Sequence, residues 1–183
     1  MYGGRMTDQL SAKDWLDQGL KALARRGFTA LKAEPLAKQM GVSRGSFYWH
    51  FADIAAYHAG VLKHWREIAA ERIIVDVEAA APGSDALAVL LRRVFSERLA
   101  LENAIRSWAN VDASARAAVQ AIDQRRLGYV EGLLKRAGLT DEIARPRAQI
   151  LYWAFLGHAL TEQPLPKAKQ QTIVDELLRM AVR

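Results

Sequence analysis

Apolar residues recur at helical spacing along almost the whole chain, and no stretch alternates convincingly with a period of two. Leu16, Leu20, Leu23 and Ala24 form the first stripe. Ser11 with Asp14 three residues on has the spacing of a reciprocal cap at its start, and Gly27 ends it. A long amphipathic segment runs from Asp53 through His64, Trp65, Ile68 and Ile73 to about Ala80, where Pro82 and Gly83 break it. Further helices are predicted at about 85–99, 101–109, 113–137 (closed by Gly138), 141–162 and 167–182. Thr140 stands as the cap of the segment from 141, with acidic Asp141 and Glu142 behind it. The pattern predicts an all-α protein of about nine helices.

Residues 36–51, LAKQMGVSRGSFYWHF, interrupt this regularity informatively. Leu36, Ala37 and Met40 give a short helix an apolar stripe, and Gly41 is the expected residue where that helix ends in a left-handed conformation. Val42 plugs the turn, and Ser43 is expected to cap a second short helix by accepting a backbone N–H. Phe47 and Phe51, four apart, share the inward face, which turns Arg44, Ser46, Tyr48, Trp49 and His50 outward. A helix-turn-helix of this kind lays its second helix in the DNA major groove. Arg44 can present two donors to guanine, the commonest base-specific contact. Ser43, Ser46, Tyr48 and His50 suit phosphate oxygens or a base edge. Trp49 either contacts a thymine methyl or sugar, or packs against the first helix. Lys32 is placed for a phosphate.

The stretch from Trp15 to Trp65 resembles the DNA-binding domain of the tetracycline-repressor-like (TetR) family of bacterial one-component regulators. The likeness lies in ALARRGF (22–28), LAKQMGVS (36–43) and SFYWHF (46–51), the last matching the family's recognition-helix signature. Lys32 replaces the usual capping Thr, and Ile54 stands where the family usually has a phosphate-binding lysine. Gly45, as the resemblance implies, lets the helix N-terminus sit close to DNA. The resemblance also implies a C-terminal region that binds a small molecule. A connecting helix there would move the recognition helices of a dimer away from the half-site spacing. The expected division is a three-helix DNA-binding domain at 1–52 and a helical effector-binding and dimerisation domain at 53–183, with 53–80 as the connecting helix.

Charge sharpens this picture. Residues 1–66 hold ten Lys and Arg against five Asp and Glu, whereas residues 67–183 hold sixteen against fifteen, so the positive excess sits on the DNA-reading third. The absence of cysteine excludes disulfides, thiolate nucleophiles and cysteine zinc sites. No apolar run is long enough for a membrane helix and the first ten residues lack a signal-peptide core, so a cytoplasmic location with no membrane partner is expected. His50, His58 and His64 share no helix face and no carboxylate completes a metal set. No hydrolase elbow, Walker loop or dinucleotide fingerprint is present. Neither enzyme activity, a cofactor nor a metal is expected.

The run ILYWAFLGHAL (150–160) is apolar nearly all the way round, and the last helix carries two adjacent stripes, Ile173/Leu177/Met180 and Val174/Leu178/Ala181. Together with Trp153, Gly157 and Leu160, these residues are expected to pair with their copies across a two-fold axis, giving a homodimer through the last two helices. Trp65, Phe95, Trp108, Tyr129, Tyr152, Phe155 and His158 are candidates to line an effector pocket, with Glu102 and Arg106 one turn apart as polar anchors. The expected function is transcriptional regulation, as a repressor on a pseudo-palindromic double-stranded operator, relieved by an unidentified small molecule. An all-helical protein-interaction module with a basic docking face is the alternative.

Overall fold

A computed structural model describes residues 10–80, 85–96, 99–161 and 165–182, and among them every regular element is helical. Helix α1 (Ala12–Arg26) starts at the reciprocal cap: the Asp14 amide donates to Ser11 Oγ (3.3 Å) and the Ser11 amide to Asp14 Oδ2 (2.8 Å). It stops at Gly27, whose φ of 75° is a conformation that side chains rarely adopt. A single 3-10 turn (Phe28–Ala30) leads to α2 (Ala33–Met40), which takes Pro35 in its first turn and ends on left-handed Gly41. Ser43 is the N-cap of α3 (Arg44–His50) as expected, but its hydroxyl makes no capping bond; only its backbone carbonyl accepts, from the Ser46 amide at 3.1 Å. Thr140 likewise occupies the cap position of its helix without a side-chain capping bond.

Asp53 caps α4 (Ile54–Arg66) through the Ala56 amide. This helix runs through a π-helical turn (Glu67–Glu71) straight into α5 (Arg72–Glu78), one rod where the sequence predicts the connecting helix. The expected break at Pro82 and Gly83 lies outside the described residues. Then follow α6 (Ala86–Ser96), α7 (Ala100–Ala109), α8 (Ala113–Arg136), α9 (Asp141–Ala159) and α10 (Lys167–Val182). Counting α4 to α5 as one, nine helical rods are described.

Buried side chains form two clusters. The first joins α1 to α3 with the start of the long rod, α7 and the N-terminal half of α8, around Trp15, Phe47, Tyr57, Trp65, Ile105, Trp108 and Ile122. The second joins α5, α6, α9, α10 and the C-terminal half of α8. The first cluster tightly fixes the recognition helix. Phe47 is fully buried, with its ring edge-on to Trp15 (5.4 Å) and Tyr57 (5.1 Å). The Tyr57 hydroxyl donates to the Trp15 carbonyl at 2.8 Å, tying α4 to α1.

That tie requires a glycine on α1. A Cβ on Gly19 would lie 2.2 Å from the Tyr57 hydroxyl oxygen, and Tyr57 is fully buried with no room to retreat. Gly19→Ala is therefore expected to destabilise the protein by about 1–3 kcal/mol. Urea unfolding measures it; an unchanged midpoint would mean that α1 and α4 separate without cost.

Candidate functional site

The outer face of α3 is open. Trp49 is 84% exposed and so does not pack against α1, which settles that alternative, and Tyr48 is 47% exposed. Arg44 is also exposed, and its Nη2 donates to the Tyr48 hydroxyl at 3.0 Å with the guanidinium 5.5 Å from the Tyr48 ring centroid. Arg44 is thus held along the helix instead of sweeping freely. Ser43 and Gly45 are exposed beside it, and Ser46 and His50 are half-buried at the edges of the face. A Cβ on Gly45 would meet only Ser43 Oγ at 3.6 Å, so this side of the helix is unobstructed. Lys32 is exposed at the N-cap of α2, and Ile54 is 40% exposed at the start of α4. The face presents one guanidinium, hydroxyls, a large indole and an open backbone turn on a helix anchored by Phe47. That is the equipment for major-groove contact.

A second site lies where the two clusters meet. A cavity of about 230 Å³ opens between the long rod, α6, α7, α8 and α9. Of the sequence candidates, Trp65, Glu102, Tyr129, Tyr152 and Phe155 line it. The others are placed elsewhere. Trp108 is buried in the first cluster, stacked on Phe28 at 4.6 Å. Phe95 and His158 stack on each other at 5.1 Å and line a separate, wider cleft against α10. Arg106 stands behind the wall.

The polar end of the cavity is a closed ion cluster. Glu102, 4% exposed, accepts from Arg106 Nε (2.9 Å) and from Arg126 Nη1 and Nη2 (2.9 and 3.0 Å). Arg106 also holds Asp123 through two bonds, and the Tyr152 hydroxyl donates to Asp123 at 2.5 Å. Burial works against the charge of Arg126, but the Glu102 carboxylate outweighs it and holds the guanidinium above its ordinary value. Burial, with the bond to Asp123, pushes Tyr152 up to about 12. Arg126 further donates Nε and Nη2 to the Ala69 carbonyl (3.2 and 3.0 Å) inside the π turn, while neighbouring Arg125 holds Glu71 at the end of that turn. The rod is therefore gripped by α8 at its irregular segment. Sequence reasoning missed Arg126 and Asp123. A signal existed: Arg126 interrupts the stripe Val119, Ile122, Val130, Leu133 of α8, where a charge needs a buried partner.

On α9 and α10, Trp153 (63% exposed), Leu160, Gly157, Ile173 and Met180 face outward. Val174 and Ala181, expected at a dimer seam, are instead buried within the protomer, because α10 packs that stripe on α6 and α9. Leu178 is half-buried against the second cluster, and Leu177 is also half-buried and lines the cleft.

An exposed second helix, rigidly mounted on a larger helical body, is a helix-turn-helix arrangement. Residues 16–56 match the model of bacterial regulatory proteins of the tetR family. That segment is similar to the DNA-binding domain of TetR-family regulators. Among solved structures of the same fold, a transcriptional regulator from Rhodococcus sp. Rha1 is 18% identical, with 94% of each chain covered and a TM-score of 0.72. GusR of Salmonella enterica is 16% identical over 93% of this chain and 92% of that one, with a TM-score of 0.73. FadR of Bacillus subtilis, solved with stearoyl-CoA, is 17% identical over 94% and 98%, with a TM-score of 0.66. No curated protein matches the sequence significantly. Among the described residues no group of acidic, histidine or cysteine side chains could hold a metal ion, and no helix is long and apolar enough to cross a membrane.

Proposed function

We propose that this protein is a cytoplasmic, homodimeric repressor that binds a pseudo-palindromic operator and is released by a small molecule occupying the cavity between the two clusters. The observation that carries the DNA reading is the exposed face of Arg44, Tyr48 and Trp49 on a helix whose opposite side is fully buried. Arg44 reads a base, Tyr48, Ser43, Ser46 and His50 address phosphates or base edges, Trp49 meets a thymine methyl or sugar, and Lys32 adds a phosphate contact. Residues 1–52 are the reading part and residues 53–183 the sensing and pairing part. Pairing uses the outward apolar residues of α9 and α10, above all Trp153, Leu160, Ile173 and Met180, which a lone protomer leaves in water. Two copies bring two recognition helices to half-sites about one DNA turn apart.

The effector part of the proposal rests on the cavity. It is walled by the rod that runs from the recognition helix, so its occupancy bears on the placement of that helix. That a protein of the same fold was solved with stearoyl-CoA supports a ligand-holding role for this body.

Selection of bound genomic fragments identifies the operator, and binding is then measured at several salt concentrations. Arg44→Ala is expected to cost about 1–3 kcal/mol and relax preference at one position per half-site. Lys32→Ala is expected to weaken all sequences alike and to lower the salt slope by about one for each phosphate that it no longer neutralises. Wild-type affinity for both variants would reject these contacts.

A further inference from the structure

We propose that the cavity takes an uncharged, mostly hydrocarbon ligand and discriminates against both anions and cations. The inference deepens the effector reading above and depends on it for the site.

The walls are the first ground. All but four of the described residues around the cavity carry hydrocarbon or indole side chains, and the four are Glu102, Arg126, Tyr129 and Tyr152. Each of those four already has protein partners. Tyr129 donates to Glu78 (2.8 Å) and Tyr152 to Asp123 (2.5 Å). Glu102 and Arg126 meet each other in a two-pronged pair, with Arg106 on the same carboxylate and the Ala69 carbonyl on the same guanidinium. Among the described residues the cavity thus offers binding area without an unmatched polar side chain.

Charge balance is the second ground. Among the described residues two cations, Arg106 and Arg126, face two anions, Glu102 and Asp123, so their charges balance. An anionic ligand would have to draw Arg126 from Glu102, leaving that buried carboxylate with one cation fewer. A cationic ligand would have to compete with two guanidinia for Glu102. Either exchange strands a buried charge, a penalty that an uncharged ligand does not incur. The Arg126 guanidinium also lies 5.2 Å from the Phe155 ring centroid and 6.0 Å from that of Trp65, which closes the polar end with aromatic faces.

The test uses three probes on one naphthalene skeleton: methyl naphthoate, naphthoate and naphthylmethylammonium. Each is titrated by calorimetry into the full-length protein, into Val94→Phe and into Leu101→Phe. These two variants fill the cavity from α6 and from α7, and their melting curves show which of them is folded. The expected result is that the ester binds at least about a hundredfold more tightly than either ion, and that a folded filling variant loses it. Equal or tighter binding of the carboxylate or ammonium, abolished by filling, would overturn the ligand class and leave the effector site standing. Binding of none of the three, or binding that survives filling, would overturn the proposal. If the ester binds in the cavity but does not release operator DNA, the ligand class stands and the effector reading falls.

Discussion

Replacing Glu102 with alanine is expected to destabilise the protein by about 3–5 kcal/mol, the penalty for removing one partner of a buried ion pair. The carboxylate is 4% exposed and receives hydrogen bonds from two guanidinia. Without it Arg106 keeps Asp123, while Arg126 keeps a carbonyl, Tyr152 and two ring faces but no carboxylate, and two like charges are left close together. Urea unfolding should show the loss, and Glu102→Ala combined with Arg126→Met should recover a good part of it, since an apolar side chain of similar length fits the stripe of α8. A single-variant loss under about 1 kcal/mol would show that Asp123 or solvent replaces the carboxylate. Because Arg126 also grips the Ala69 carbonyl, the single variant should loosen the π turn as well, which amide exchange at residues 67–71 would report.

The second large effect is expected at Phe47. Phe47→Ala removes a fully buried ring from the centre of the aromatic cluster and should cost about 3–5 kcal/mol. Trp49→Ala, two positions along the same helix, should change stability by no more than about 0.5 kcal/mol, since its side chain is in water. DNA binding reverses the comparison at low temperature. There the folded fraction of the Phe47 variant should still bind, while the Trp49 variant should bind operator more weakly. If Trp49→Ala unfolds the protein, or leaves operator affinity untouched, the assignment of the outer face fails.

The two variants also illustrate what the sequence revealed. Spacing alone turns Phe47 and Phe51 inward, and the ends of α1, α2 and α8 follow from Gly27, Gly41 and Gly138, whose positive φ is a local property. The recognition face was equally local: seven residues on one short helix have few ways to be arranged. Features that depend on a neighbouring element were not legible. Ser43 and Thr140 stand at cap positions, yet no spacing rule fixes the rotamer that would close the bond. The π turn has no composition mark, and its reason lies across the gap in Arg125 and Arg126. For the pocket, helical spacing shows that Trp108, Phe95 and His158 share faces with apolar neighbours but not which neighbours. Trp108 turns to Phe28, and the other two turn to each other. Val174 and Ala181 went inward because α10 has two apolar stripes and one protomer covers only the one that holds them.

One cluster of buried side chains runs from Trp15 and Phe47 through Tyr57 to Trp108 and Ile122 without a gap. The reading head is consequently not a cassette that can be cut out after position 52 and grafted onto another body: severed there, its indole and phenyl surfaces would lose their lid. Operator preference in this protein should then drift by changes on the outer skin of α3, while wholesale exchange of the first three helices with those of another regulator should fail unless Tyr57 and Trp108 travel with them.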